Sequence, residues 1–263
     1  MMEKLHINDN PLSYSRVGTG PVLLFLHGFL GDQTVWNYTV EHLLLDYTCV
    51  AMDVPGHGES EIINSNYTFE SLASKIVSIL DLEEIDEVHI IGHSLGGYVG
   101  LSLAQLVPDR VKSITLLNST AYADSPEKKI ERDRASQVFD LSPKIYIKSA
   151  IQNLVHESNH SRLEKEIEEL VEIALKLSVA GAKAALVAMR DRRNSVPFLR
   201  ESQLPVHLIS GKYDHVCPLD RAYEQVQDLN AVHTILNHSG HMAFIEEPDE
   251  MLKHIRLYLK HVI

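Results

Sequence analysis

Cysteine is nearly missing from this chain of 263 residues: Cys49 and Cys217 are the only two. Two thiols cannot form a disulfide framework, and so low a count fits a reducing compartment. Long apolar runs are missing too. No stretch approaches the roughly 20 residues that a membrane-spanning helix needs. The N-terminal stretch MMEKLHINDN lacks the apolar core of a secretion signal. Basic residues are in deficit, 24 against 36 acidic ones, for a net charge of -12. Phosphate backbones bind basic surfaces, so nucleic acid is excluded as the main partner. The expectation is a soluble, cytoplasmic protein with no membrane span. No internal repeat or low-complexity tract interrupts the chain.

What is present is the composition of an ordinary globular protein, 44% hydrophobic and 23% charged. The length suits one large domain, or one domain with an insertion. Six short runs read as strands: 22–27, 47–53, 87–93, 112–118, 205–211 and 231–237. They are continuously apolar rather than alternating, which predicts strands covered on both faces, as in a parallel sheet. Helical stretches lie between them at 34–44, 68–81, 95–107, 218–228 and 248–262. The alternation predicts an α/β fold, a mostly parallel sheet flanked by helices with right-handed crossovers.

From about 121 to 196 no strand is convincing. Leu163, Ile167, Leu170, Val171, Ala174 and Leu177 share one helical face, and 178–192 is also helical. The expectation is an inserted helical domain over 121–195, with the core built from 1–120 and 196–263. Acidic runs at 83–87, 164–172 and 246–250 read as solvated faces.

The stretch IIGHSLGGYVG, 90–100, sets one serine among glycines between a strand and a helix. Gly92-x-Ser94-x-Gly96 fits a nucleophile elbow, in which a sharp turn lifts the hydroxyl clear of the sheet. The alternative is a glycine-rich turn without chemistry. An alcohol is a weak nucleophile near neutrality and needs a base, itself oriented by an acid. On this architecture the partners follow in the order Ser, acid, His. Asp214 in LISGKYDHVCP and His241 in LNHSGHMAFIEEP stand just past the last two strands, at the strand ends where open α/β sheets build sites. His238 is the rival base. Asp214 could be a turn former only, and the position after the strand at 112–117 holds Asn118 rather than an acid. The backbone N–H groups of Phe29, in HGFLGD, and of Leu95 are the candidate donors to an oxyanion.

Together HGFLGDQTVW, DVPGHGES, GHSLGG, SGKYDHVCP and SGHMAFIEEP resemble the α/β-hydrolase superfamily. The resemblance implies Ser94 as nucleophile, His241 as base, Asp214 as its orienting acid, and Phe29 with Leu95 as oxyanion hole. It implies that the insertion is a cap over the pocket. The Asp53 and His57 loop would be structural, and Trp36 would pack in the core rather than line the pocket. A serine at the nucleophile position is unlike haloalkane dehalogenases and epoxide hydrolases, which place an aspartate there. It is similar to the esterase-like members. HGFLG with a following tryptophan is also similar to the menaquinone-pathway lyases of the MenH type. Those carry an arginine after the elbow glycines, where this chain has Tyr98.

The implied function is hydrolysis of small-molecule carboxylic esters through an acyl-enzyme, with no cofactor and no metal. Alternatives are a C–C bond hydrolase or lyase with the same triad, and a non-catalytic small-molecule receptor. KKIERDR (128–134) and RDRR (190–193) are basic islands in an acidic chain. They read as salt-bridged faces, with receipt of an acidic substrate as the alternative. If the alternative holds through Arg190 or Arg193, reversing either charge raises KM, and an unchanged KM removes it.

Overall fold

The computed structural model describes residues 4–7, 10–62, 67–229 and 231–263. Of the N-terminal stretch read for a secretion signal, residues 1–3 and 8–9 lie outside the described residues. The described strands are β1 (Lys4–Ile7), β2 (Asn10–Val17), β3 (Val22–Leu26), β4 (Thr48–Met52), β5 (Val88–His93), β6 (Val111–Leu117), β7 (Val206–Gly211) and β8 (Val232–Leu236). They form one sheet in the order β1-β2-β4-β3-β5-β6-β7-β8. Six of these strands pair in parallel, and β1 and β2 add an antiparallel edge. All six expected strands are present. The α/β architecture follows from their pattern: every residue of β4, β5 and β7 is buried, because layers cover the sheet on both faces.

The hairpin of β1 and β2 was not anticipated. Its signal is the alternation Leu12-Ser13-Tyr14-Ser15, which is short and rich in serine. Both registers end up buried: Leu12 and Tyr14 are 1% exposed, Ser13 and Ser15 fully covered. Ser13 is satisfied by donating its amide to Ser60 Oγ at 2.8 Å.

The helices are α1 (Asn37–Leu43), α2 (Phe69–Leu82), α3 (Leu95–Leu106), α4 (Pro126–Leu141), α5 (Pro143–Leu154), α6 (Glu164–Leu175), α7 (Val179–Asp191), α8 (Val196–Ser202), α9 (Leu219–Leu229), α10 (Ala243–Glu246) and α11 (Pro248–Val262). A capping box closes the start of α2: Thr68 Oγ1 accepts from the Ser71 amide, and Ser71 Oγ accepts from the Thr68 amide. Phe69, Leu72, Ala73, Ile76, Ile79 and Leu80 then form its buried stripe. Between β6 and β7 the chain makes five helices, α4 to α8, and no strand. Ser142-Pro143 separates α4 from α5, since proline cannot continue a helix that precedes it. Ile167, Leu170 and Ala174 of α6 are buried and Val171 packs beside them, the face expected of that helix. Phe139 of α4 stands 6.1 Å from Phe29 of the core, ring centre to ring centre. Trp36 is fully buried against Phe25 and Phe244. No helix among the described residues is long and apolar enough to cross a membrane.

The β5–α3 turn is where the packing is tightest. An added Cβ at Gly96 would lie 2.1 Å from the Leu26 carbonyl oxygen, and one at Gly92 would lie 2.6 Å from the Gly97 nitrogen. Backbone atoms cannot retreat as a flexible side chain can. Gly96→Ala is therefore expected to cost at least about 2 kcal/mol. Urea unfolding should show it as a lower midpoint, and an unchanged midpoint would contradict the close approach.

Candidate active site

Ser94 sits at φ 49°, ψ −114°, at the N-cap position of α3. A non-glycine residue with positive φ is held there by its surroundings. Its amide donates to the Leu117 carbonyl at 3.0 Å. Its own carbonyl accepts from Ser119 Oγ at 2.7 Å and from the Gly97 amide at 3.0 Å. A serine at an N-cap ordinarily turns its hydroxyl onto the helix amides. Ser94 makes no such bond. Its Oγ stands 3.0 Å from His241 Nε2 instead.

His241 Nδ1 is 2.8 Å from Asp214 Oδ2. With the proton on Nδ1 donated to the carboxylate, Nε2 is left as acceptor for the Ser94 hydroxyl. Asp214 serves a turn as well. Its Oδ1 accepts the Val216 and Cys217 amides at 2.8 and 2.9 Å. Burial pushes the Asp214 carboxyl up, but the neighbouring His241, the hydrogen bond to it, and bonds from Cys217 and Asn118 outweigh that and hold it below the ordinary value. His238, the rival base, is exposed, and its ring makes no hydrogen bond to another described residue.

Three supporting residues escaped the sequence reading. Asn118, at φ 46°, donates Nδ2 to Asp214 Oδ2 at 2.9 Å and to the Gly240 carbonyl at 3.1 Å. His93 Nε2 donates to the His241 carbonyl at 2.9 Å. Burial, with His241 beside it, depresses the His93 pKa to about 3, so the ring is neutral. Glu246 corrects the reading of 246–250 as a solvated face: it is 2% exposed. Its Oε1 accepts the Gly240 and Met242 amides on either side of His241, and its Oε2 accepts the His156 amide and Asn159 Nδ2. A carboxylate is kept buried here because amide donors surround it. The visible signal was the apolar sequence MAFI just before Glu246, which marks a chain entering the core.

The His27-Gly28-Phe29 loop lies against the elbow, since a Cβ on Gly28 would meet that of Ser94 at 3.3 Å. Among the described residues no backbone carbonyl takes the Phe29 or Leu95 amide. Asp53 and His57 hold loops rather than substrate: Asp53 accepts the Gln33 and Glu59 amides, and neither residue lines the cavity over Ser94. Burial depresses His57 to about 3.

That cavity, of about 180 Å³, has Ser94, His241, His93 and Phe29 as its floor, and α4, α5 and α7 supply more than half of its wall. The basic islands divide. Arg190 is taken up by Asp133 and Asp191, and Arg193 is 82% exposed beside Glu70; neither lines the cavity. Lys128 and Arg132 do. Asp214, Cys217 and His241 offer ligand atoms within 4.8 Å of one another. Two of them already share a hydrogen bond, so a cation there would compete with the contact that orients the imidazole.

The fold and this arrangement define the class: the chain has the α/β-hydrolase fold. The profile of the alpha/beta hydrolase fold matches residues 21–145. A solved thermophilic esterase from Thermogutta terrifontis superposes with a TM-score of 0.90 at 26% identity, covering 100% of this chain and 99% of that one. The pyrrolizixenacetamide deacetylase of Xenorhabdus hominickii is 25% identical over 98% of both chains. The dihydrolipoyllysine-residue acetyltransferase component of the acetoin cleaving system of Cupriavidus necator is 27% identical over 90% of this chain, which spans 63% of that protein.

Two outcomes are expected. His57, His93 and His207 have pKa values depressed by burial to about 3, against an ordinary 6.5. The unfolded chain takes up these protons below about pH 6.5 and the folded chain refuses them, so stability is full above that pH and falls as pH drops toward 3. Urea unfolding between pH 6.5 and 4.5 should show stability declining toward acid; a flat profile would refute buried neutral histidines. Glu246→Ala strands several buried amides at about 1–3 kcal/mol each. Its unfolding midpoint should fall well below that of an exposed control such as Glu168→Ala.

Proposed function

We propose that this protein is a serine hydrolase acting on carboxylic esters of small molecules. The observation that carries the reading is the unbroken run of hydrogen bonds from Ser94 Oγ through His241 to Asp214. In the proposed cycle His241 Nε2 takes the Ser94 proton as Oγ attacks the ester carbonyl. Asp214 keeps the tautomer and offsets the imidazolium charge. The Phe29 and Leu95 amides receive the oxyanion, an interaction whose loss typically costs about 10²–10³ in rate. His241 then protonates the departing alcohol. Water, deprotonated by His241, attacks the acyl-enzyme and releases the acid and the free serine.

Residues 121–195 act as a cap on a core of 1–120 and 196–263. The walls contributed by α4, α5 and α7 support this division. Acyl chemistry in the names of the relatives supports the reaction class. The two unpaired cysteines suit a cytoplasmic setting.

The test is hydrolysis of p-nitrophenyl esters of graded acyl length. Wild type should turn over, with the optimum length measuring the acyl pocket. Ser94→Ala should lose about four orders of magnitude or more, and Asp214→Asn about ten-thousand-fold, both still folded. Folded wild type without turnover on esters would sink the esterase reading and favour C–C chemistry or a receptor.

A further inference from the structure

Asp124 is a buried carboxylate shared by two arginines. Its side chain is 3% exposed, and those of Arg132 and Arg192 are 14% and 7% exposed. Arg192 is held on several sides: its Nε and Nη1 donate to the Tyr122 and Met189 carbonyls, Nη1 lies 2.6 Å from Asp124 Oδ1, and the guanidinium stacks on the Tyr98 ring at 4.0 Å. Arg132 is held at one point. Its Nε reaches Asp124 Oδ2 at 3.2 Å, and neither terminal nitrogen donates a hydrogen bond to another described residue. One carboxylate cannot neutralise two guanidinium groups, so the cluster keeps a positive charge in a largely desolvated place.

Arg132 also occupies a junction. It and Lys128 line the cavity over Ser94 and, on the other side, a second cavity of about 320 Å³. Across the two cavities the lining holds four cations, with Arg192 and Arg221 added, against two carboxylates, Asp124 and Glu131. In a chain of net charge -12 this is a local inversion of sign. Lys128 is engaged by Glu131 at 2.8 Å and Arg221 by Glu224. Of the two cations that line both cavities, Arg132 is the one whose terminal nitrogens donate to no other described residue.

We propose that Arg132 is a specificity-determining residue that binds a carboxylate on the substrate, so that the preferred esters are anionic: they carry one carboxylate besides the ester group. A planar carboxylate accepts the two terminal N–H groups of a guanidinium as a fork, and its single charge matches the single excess charge of the cluster. The inference rests on the esterase reading for its substrate and on the cavity geometry for its anion site.

Two sources of the carboxylate share this chemistry, and two arms separate them. One compares monoethyl esters of dicarboxylic acids, from succinate to suberate, with ethyl esters of monocarboxylic acids of equal length. The other compares carboxymethyl esters with ethyl esters of the same acid. In one arm the wild-type kcat/KM for the charged ester should exceed its neutral counterpart by roughly ten- to a hundredfold, mostly through KM. That ratio should collapse toward one in Arg132→Gln and be partly kept in Arg132→Lys, which retains the charge without the fork. Thermal unfolding of both variants controls for loss of the Asp124 pair. A wild-type ratio near one in both arms, or a ratio indifferent to Arg132→Gln, overturns the anion site and leaves the esterase reading standing. If no ester is hydrolysed, calorimetry with adipate on Ser94→Ala, with and without Arg132→Gln, decides. Adipate binding that depends on Arg132 keeps the site while the esterase reading falls, and no adipate binding overturns the site.

Discussion

The left-handed backbone at Ser94 survives because no side chain stands at 92 or 96. The end of β3 and the start of α3 press on the turn from both sides, with carbonyl oxygens standing where side chains at 92 and 96 would be. The strain of positive φ, of the order of 1–3 kcal/mol, is offset by backbone bonds that fix the residue from β6 and from within the turn. In that conformation the Ser94 side chain cannot cap its own helix. Its hydroxyl meets the imidazole, and the first turn of α3 keeps an amide at Leu95 that no backbone carbonyl among the described residues takes. Geometry at one residue thus sets both halves of the candidate chemistry.

The imidazole arrives from 147 residues further along the chain, and a loop that long must be held. It is held from three directions. His93, next to the serine, binds the His241 carbonyl; Leu154 at the end of α5 accepts the His241 amide; Glu246 gathers the amides on either side. Because Glu246 also binds His156 and Asn159, the helical insertion and the histidine loop form one hydrogen-bonded unit. Any movement of the α5 end is coupled to the position of His241. Asn118 plays the matching part for Asp214, tying it to the Gly240 carbonyl so that Asp214 and His241 keep a common register.

What was legible in the chain has physical reasons. Continuous apolar runs marked the central strands because strands covered on both faces need no polar alternation. Glycines two residues either side of Ser94 marked the turn because only they leave room for the backbone to pass. Glu246 was legible only through the apolar MAFI before it: a carboxylate in an acidic run itself looks the same whether it meets water or four N–H donors. The β1–β2 hairpin was missed because serines stand where apolar residues usually announce a buried strand, and their burial depends on partners such as Ser60. Arg132 and Arg190 read alike within their basic islands; one lines a cavity and the other ends in an ion pair on the surface.

By itself the sequence determined the α/β alternation, the elbow around Ser94, the chain order of Ser94, Asp214 and His241, and the presence of a long helical insertion. These are local properties, written in periodicity, glycine spacing and short motifs. Only the tertiary structure decided which buried groups hold the histidine loop, that Asp214 has Asn118 as a second partner, and that Arg132, paired with a buried Asp124, lines the cavity over Ser94. Those are facts of desolvation and hydrogen-bond pairing between segments far apart in the chain, and no residue carries a mark of its future partner until the chain has folded.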